Sequence, residues 1–192
     1  MYVIIGASSL IGKNLYYYLK KNKKDVLGTY YTKSSNDEWV RFDICKDSIL
    51  DLIRENNCSE ISAVIICGAN ASIDSCKRDA KASYKLNVNG TQRLIDEIKQ
   101  LKTKCVFLSS EAVFDGEKGR EVEEDVPNPI TLYGEQKLLI EKYITKKLEN
   151  YIIFRLSRVI GNCFGEKDIF NEFYTKITKD IEIACLKDMS FV

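Results

Sequence analysis

Short apolar runs that alternate with helical patterns are the feature that most constrains the fold of this chain. Ala63–Cys67 is an unbroken apolar run, which is typical of a β-strand buried on both faces. Similar runs alternate with segments of helical spacing over residues 1–155, which predicts a parallel sheet with right-handed crossovers and helices on both faces. The fold class is therefore α/β with a doubly wound parallel sheet, and ligands are expected beyond the carboxyl ends of its strands. The predicted strands are Tyr2–Ile5, Asp25–Tyr30, Trp39–Phe42, Ala63–Cys67, Cys105–Leu108 and Tyr151–Phe154.

The predicted helices lie between these strands and after the last of them. One of them is long and carries a polar Asn87 and a glycine, Gly90, near its middle. Because glycine costs ~1 kcal/mol relative to alanine inside a helix, this position indicates a close packing contact or a functional site. The helices cover Ser48–Arg54, Asp79–Leu101, a segment that ends near Leu148, and Asp168–Lys179, and a strand-like Ile181–Leu186 follows.

The first strand leads into a glycine-flanked turn, from Gly6 to Gly12, and then into a helix. Glycines at such a turn let the backbone approach a pyrophosphate, and the N–H groups at the helix start favour an anion. The G-x-G-x-x-G spacing is not met, but G-x-x-G-x-x-G fits if Ser9 replaces the middle glycine. A turn of this kind also occurs in α/β proteins that bind no nucleotide. The candidate cofactor-binding residues in it are Gly6, Ser8, Ser9, Leu10, Ile11 and Gly12.

The end of the second strand indicates which dinucleotide would bind. An acidic residue there commonly binds the 2′-hydroxyl of NAD. The segment Thr29–Ser35 has no carboxylate but contains Tyr30, Lys33 and several hydroxyls, which favours the 2′-phosphate of NADP(H) while leaving NAD(H) as the alternative. The same segment could also be a solvated loop with an incidental lysine.

The stretch Ser109–Lys137 is the candidate catalytic region. Tyr133 and Lys137 are four residues apart, so on a helix they share one face, where an ammonium would lower the pKa of a phenol. Three other tyrosines have a lysine at the same spacing, so the spacing alone is not specific. Tyr133 differs from them because a strand delivers Ser109 and Ser110 nearby, and because the two prolines of the chain precede its helix.

Composition excludes several other classes. The net charge is +1 at pH 7, which gives no reason to expect nucleic acid or a membrane surface as a partner. No apolar run reaches the ~18 residues that a membrane span requires, and no signal peptide is recognisable, so we expect a cytoplasmic protein. The chain has seven cysteines and no histidine, which predicts reduced, mostly buried thiols and no metal site.

Several motifs occur together in one order along the chain: Gly6–Gly12, Asp43–Ile44, Asn87–Thr91, Ser109–Gly116, Tyr133–Lys137 and Arg155–Ser157. This combination resembles the extended short-chain dehydrogenases, and most of all the dTDP-4-dehydrorhamnose reductases. The resemblance implies a Rossmann-type fold, and it implies that Ser110 binds the substrate carbonyl, Tyr133 protonates it, and Lys137 holds the nicotinamide ribose and lowers the tyrosine pKa. Asn87 would support them. Further cofactor-binding residues implied by the resemblance are Asp43, Ile44, Gly68, Ala69, Asn70, Asn87, Ser109, Tyr133 and Lys137, and the implied substrate-binding residues are Glu111, Val113, Phe114 and Arg155.

The same resemblance separates the related reactions. Dehydratases typically have an Asp-Glu pair after the serine or threonine, whereas Glu111 here is followed by Ala112, so elimination lacks one acid–base partner. Epimerases commonly have Tyr-Gly where this chain has Phe-Asp-Gly. The favoured function is therefore NADP(H)-dependent reduction of a 4-keto group on a nucleotide-activated deoxysugar.

Two alternatives to that function remain open. One is a non-catalytic, NADP-binding regulatory subunit resembling that of methionine adenosyltransferase; the other is a sugar-nucleotide epimerase or dehydratase. Residues 1–160 would form the NAD(P)-binding domain, and residues 161–192 the start of a substrate lobe that continues further in the relatives. We therefore expect cofactor binding with little turnover from this chain. A homodimer is compatible with the resemblance.

Overall fold

The computed structural model describes residues 1–161 and 169–182. Six strands form one parallel sheet in the order β3-β2-β1-β4-β5-β6. This order reverses between β1 and β4, which is the topology of a Rossmann-type fold. The strands are β1 Tyr2–Ile5, β2 Val26–Tyr30, β3 Val40–Arg41, β4 Ala63–Ile66, β5 Lys104–Ser110 and β6 Tyr151–Leu156. The predicted α/β fold class is confirmed.

Helices connect the strands and cover both faces of the sheet. The helices are α1 Leu10–Lys21, α2 Ile49–Glu55, α3 Ile73–Arg78, α4 Ala80–Tyr84, α5 Thr91–Leu101, α6 Leu132–Lys147 and α7 Ile169–Thr178. A π-helical turn, Lys85–Gly90, joins α4 to α5, and a 3₁₀ turn, Glu111–Val113, follows β5.

Alternating strand residues build two cores. On one face, Val3 and Ile5 of β1 pack with residues of α2, α5 and α6. On the other face, Ile4 packs with Tyr16 and Leu19 of α1. Because neighbouring side chains of a strand point to opposite faces, an apolar strand such as β4, buried at all four positions, is what a sheet covered on both sides requires.

The predicted helix Asp79–Leu101 is helical in the structure, but its middle, Lys85–Gly90, is a π-helical turn and not α-helix. Asp79 caps α4, since its Oδ1 accepts a hydrogen bond of 2.9 Å from the backbone N–H of Ala82. The chain then widens into the π-helical turn before it resumes as α5. A Cβ added at Gly90 would lie 3.1 Å from the carbonyl oxygen of Ile44. The glycine therefore permits close packing against the β3–α2 connection, as one of the two sequence interpretations required.

Other boundaries shift by a few residues. β5 extends to Ser110, and the strand predicted at Trp39–Phe42 is reduced to Val40–Arg41. Most of the strand-like Ile181–Leu186 lies outside the described residues. Within the described part of the chain, no helix is long and apolar enough to cross a membrane.

Candidate active site

The turn after β1 is shaped by its glycines and by one serine. Gly6 has φ +87°, a left-handed conformation that glycine adopts without strain. Ser9 caps α1, because its Oγ accepts a 3.1 Å hydrogen bond from the N–H of Gly12 and donates a 2.8 Å hydrogen bond to the carbonyl of Gly6. A Cβ at Gly12 would clash with that same carbonyl oxygen. The two outer glycines therefore allow the helix start to lie directly against the strand end.

A cavity of about 510 Å³ opens beside this turn, at the carboxyl ends of β1, β2 and β4. Its volume is in the range of small-molecule and cofactor sites, and it lies where the strand order reverses. Its lining residues include Gly6, Ser8, Ser9, Tyr30, Tyr31, Asp43, Ile44, Cys67, Gly68, Ala69 and Lys85. The other predicted cofactor-binding residues do not line the cavity: Leu10, Ile11, Gly12, Lys33, Asn70, Asn87, Ser109, Tyr133 and Lys137. Lys33 is exposed in the loop after β2.

Asp43 is buried at 6% exposure and stabilises the local backbone. Its Oδ1 accepts a 2.9 Å hydrogen bond from the N–H of Cys45. Its own N–H donates a 2.7 Å hydrogen bond to the carboxylate of Asp47. The aspartate thus shapes the wall of the cavity that Ile44 and Cys45 form.

The serine and tyrosine of the predicted catalytic group approach each other because two turns pack tightly. Ser110 ends β5, and its Oγ accepts a 3.2 Å hydrogen bond from the N–H of Ala112. Thr131 caps α6 by accepting a 3.1 Å hydrogen bond from the N–H of Gly134. A Cβ at Gly134 would clash with the carbonyl of Ala112. Glycine at position 134 therefore lets Tyr133 reach the Ser110 turn.

Tyr133 is buried at 8% exposure. Burial raises the pKa of its phenol, and a hydrogen bond with the Ser110 side chain offsets part of that rise. The sequence-based expectation that Lys137 lowers the pKa of Tyr133 below its usual value therefore does not hold for this structure. The physical reason is that transferring a phenolate out of water costs more than the serine hydrogen bond returns.

Lys137 is buried close to the ring of Tyr133. Its ammonium donates a 2.7 Å hydrogen bond to the carbonyl of Leu108 and lies 4.6 Å from the ring centroid of Phe107 and 5.7 Å from that of Tyr133. Burial lowers the pKa of Lys137 to about 8. The spacing of Tyr133 and Lys137 thus places both on the buried face of α6, as predicted.

Asn87 lies behind this group, in a buried polar network. Its Oδ1 accepts a 2.9 Å hydrogen bond from the N–H of Asn70, and its Nδ2 donates to the carbonyl of Asn70 at 2.9 Å and to the side chain of Gln136 at 2.8 Å. Gln136 in turn donates a 2.9 Å hydrogen bond to Ser83. The hydrogen-bonding capacity of the Asn87 amide is therefore used to hold the loop after β4 against α6.

The predicted substrate-binding residues differ in accessibility. Glu111 is exposed and Phe114 is half-buried. Val113 has no exposed surface, so it cannot contact a substrate in this arrangement, which corrects its predicted role. The guanidinium of Arg155 is bound to the carboxylate of Glu141, with a shortest N–O distance of 2.8 Å, rather than extending from the surface.

Sequence reasoning missed three residues of this region: Gly134, Gln136 and Glu141. A glycine in the first turn of a helix is a signal for close packing that could have identified Gly134. Glu141 lies four residues after Lys137, so it is on the same helix face. Gln136 offered no such signal, because only the approach of the π-helical turn makes it a partner of Asn87.

The cysteines near the site show no sign of a reactive thiol or of a metal centre. The five cysteines within the described ranges are reduced: Cys45, Cys58, Cys67, Cys76 and Cys105. Burial raises the pKa of Cys67 and of Cys105 to about 12, which makes them poor nucleophiles. No group of three or more cysteine, aspartate or glutamate side chains that could hold a metal occurs among the residues with assigned positions.

The fold and the site define a Rossmann-type α/β protein in which a serine and a tyrosine share a hydrogen bond beside a buried lysine. Cys67 lines the cavity and also acts on the charge of that lysine, which connects the two parts of the candidate site. Residues 1–190 match the family model described as the RmlD substrate binding domain. The chain belongs to this family, as the resemblance to the sugar-nucleotide reductases predicted.

The relatives include proteins that are named for different functions. The methionine adenosyltransferase 2 subunit beta of Xenopus tropicalis is 28% identical over 161 residues, covering 83% of this chain and 47% of the relative. The dTDP-4-dehydrorhamnose reductase of Aggregatibacter actinomycetemcomitans is 27% identical over 163 residues, covering 83% and 51%. The crystal structure of dTDP-4-dehydrorhamnose reductase from Bacillus anthracis in complex with NADP superposes with a TM-score of 0.77 at 22% identity, covering 94% of this chain and 60% of that one. This chain therefore spans about half the length of the curated relatives it matches.

Proposed function

We propose that this protein reduces a keto group on a nucleotide-activated deoxysugar, with NADPH as the reductant. The observation that carries the proposal is that Ser110 and Tyr133 share a hydrogen bond at the carboxyl edge of the sheet, with the ammonium of Lys137 5.7 Å from the Tyr133 ring centroid. Two relatives are named dTDP-4-dehydrorhamnose reductase, and the crystal structure of one of them is a complex with NADP.

The cavity residues fit a dinucleotide. The left-handed Gly6 and the cap of α1 by Ser9 bring backbone N–H groups to the helix start, where a pyrophosphate would be stabilised. Tyr30, Tyr31 and Lys85 line the cavity and offer aromatic surface and a positive charge to the adenosine half. The bound nicotinamide would supply the hydride.

The residues of this chain would handle the proton. In the proposed reaction the hydroxyls of Ser110 and Tyr133 donate hydrogen bonds to the keto oxygen, and Tyr133 gives up its proton as the alkoxide forms. The tyrosinate is then stabilised by the ammonium of Lys137, whose depressed pKa of about 8 still leaves it mostly charged at neutral pH. Asn87 acts from behind, by fixing the loop that carries Asn70.

The decisive experiment compares two tyrosines that share the same lysine spacing. Because little turnover is expected from residues 1–192 alone, both variants are made in a chain extended by the region that continues in the relatives. In that chain, Tyr133→Phe should abolish reduction of a dTDP-4-keto-6-deoxysugar and leave the Kd for NADPH near wild type, because only a proton donor is lost. Tyr143→Phe is the matched control. The ammonium of Lys147 lies 5.3 Å from the Tyr143 ring centroid, but the hydroxyl of Tyr143 donates a hydrogen bond to Asp96 at the surface. Equal loss of activity in both variants would refute the assignment of the site.

Binding and turnover should be measured separately, because residues 1–160 are proposed to form the cofactor-binding domain and residues 161–192 only the start of a substrate lobe. NADPH binding without turnover would support that division. Full turnover by the 192-residue chain would contradict it, since this lobe would then not need the region that continues in the relatives.

A regulatory subunit is the second candidate function, because relatives of the methionine adenosyltransferase 2 subunit beta type match over 83% of the chain. This function predicts binding of NADP and of a catalytic methionine adenosyltransferase subunit, without consumption of NADPH. Co-sedimentation with such a subunit, together with unchanged NADPH absorbance in the presence of keto-sugars, would favour it over the reductase.

A further inference from the structure

A buried ion pair lies one helical turn beyond Lys137. Glu141 is 4% exposed, and its carboxylate accepts hydrogen bonds from Nε of Arg155 at 3.1 Å and from Nη2 at 2.8 Å. It also accepts a 2.5 Å hydrogen bond from the hydroxyl of Ser109. This one carboxylate therefore joins α6, the end of β5 and β6.

The guanidinium of Arg155 also contacts the segment between the Ser110 turn and the start of α6. Arg155 donates a 3.1 Å hydrogen bond from Nη1 to the carbonyl of Glu123, and its guanidinium carbon lies 5.0 Å from the ring centroid of Phe114. Phe114 directly follows the Ser110 turn, and residues 115–131 lead from it to the cap of α6. The guanidinium of Arg155 therefore contacts Glu141 on one side and the segment after the Ser110 turn on the other.

We infer that Glu141 and Arg155 form a clamp, which means that their ion pair holds residues 114–131 in place. The clamp thereby fixes the position of Ser110 relative to Tyr133. The inference rests on the proposed function for its catalytic meaning, but the clamp itself can be tested without turnover. It assigns Arg155 to positioning rather than to substrate binding. Glu141 would have a second effect, because its negative charge lies on the same helix face as the ammonium of Lys137.

The local alternative is that residues 114–131 are held by their own contacts. Lys118 and Asp125 form an ion pair within this segment, and Asp125 also accepts a 2.8 Å hydrogen bond from the N–H of Val122. The Lys118 side chain is 58% exposed, whereas the Glu141 side chain is 5% exposed. An exposed pair contributes little to stability, whereas removing one partner of a buried pair leaves a charge without compensation. Asp125→Asn is therefore the matched control.

The first measurement is amide hydrogen exchange in residues 114–131. Glu141→Gln and Arg155→Met should each raise exchange rates in this segment by about tenfold or more, while exchange in β1 stays unchanged. Asp125→Asn should have a clearly smaller effect. An unchanged segment in the two clamp variants, or an equal increase in the control, would overturn the inference.

The second measurement is the titration of Lys137 by NMR of ¹³C-labelled lysine, with the signal assigned by its absence in Lys137→Met. The groups that act on this ammonium are Cys67 from the β4 end, Cys76 from α3, and Tyr133 and Glu141 from its own helix. Glu141→Gln removes a negative charge and should lower the pKa of Lys137. Arg155→Met leaves that negative charge without its partner and should raise it.

Opposite shifts in the pKa of Lys137 show that the two side chains act through their charges. A general loosening of the structure would instead raise the pKa of Lys137 in both variants, toward that of an exposed lysine. Shifts of the same sign, or no shift in either variant, would refute the role of Glu141. If a single variant does not fold, the Glu141→Met/Arg155→Met double variant removes both charges and leaves neither one unpaired. In that variant, faster exchange in residues 114–131 supports the clamp, and wild-type exchange overturns it. None of these outcomes depends on whether the protein is a reductase.

Discussion

Lys137→Met should make the protein more stable at neutral pH while destroying the proposed activity. Lys137 is 6% exposed, and burial lowers the pKa of its ammonium from 10.5 to about 8. At ~1.4 kcal/mol per pH unit, this depression corresponds to a cost of about 3 kcal/mol for keeping the group charged in the folded state.

The substitution also removes favourable contacts. The 2.7 Å hydrogen bond to the carbonyl of Leu108 is worth about 1 kcal/mol. Methionine fills a similar volume, so the cavity left behind is small. The expected net effect is that Lys137→Met raises the free energy of unfolding by about 2 kcal/mol at pH 7.

The pH dependence gives the sharper test. Below about pH 8 the lysine is protonated in both the folded and the unfolded chain, so its full cost is present. Between this value and 10.5 the unfolded state binds more protons, so the stability of the wild type rises relative to the variant. The advantage of Lys137→Met should therefore be constant at about 2 kcal/mol below pH 8, fall to zero between pH 8 and 10.5, and reverse to about 1 kcal/mol in favour of the wild type once the cost of about 3 kcal/mol is gone.

Urea unfolding at several pH values measures this difference, and subtraction removes the contribution of groups that titrate alike in both proteins. Lys147→Met is the control, since that lysine is 37% exposed at the same spacing from a tyrosine. A variant that is less stable than wild type at pH 7, with a difference that does not change up to pH 10.5, would refute the reasoning.

Three further predictions follow from the site. NADPH should bind more tightly than NADH, because the β2 end carries no carboxylate; fluorescence titration checks this, and an NADH preference of tenfold, ~1.4 kcal/mol, would contradict it. Gly134→Ala should lower the free energy of unfolding by roughly 2 kcal/mol, because the added Cβ would clash with the carbonyl of Ala112. Thermal unfolding should show a lower Tm, and an unchanged Tm would contradict the claim that this position requires glycine. Asn87→Leu should cost about 1–3 kcal/mol by leaving the Asn70 and Gln136 groups without partners, and it should weaken NADPH binding; wild-type values in both calorimetry and titration would argue against a supporting role.

The sequence by itself determined the fold class and indicated which stretches of the chain form the candidate site. Alternation of apolar runs with helical spacing is a local property, and it fixes a parallel sheet because parallel strands need crossovers and burial on both faces. The glycine-flanked turn and the spacing of Tyr133 and Lys137 are equally local. Each could be recognised without knowing which other residues approach them.

Only the tertiary structure decided the roles of the residues whose partners are distant in sequence. Asn87 is paired with Asn70 and Gln136, residues 17 and 49 positions away, and this pairing accompanies the π-helical turn that helix periodicity did not predict. The pKa of Tyr133 also depends on burial by the whole site and not on one lysine. Arg155 looked like a substrate ligand in the sequence, but its guanidinium is held by Glu141. Local patterns show which side chains share a face, whereas the cost of desolvating a charge and the identity of its partner are set by packing among distant segments.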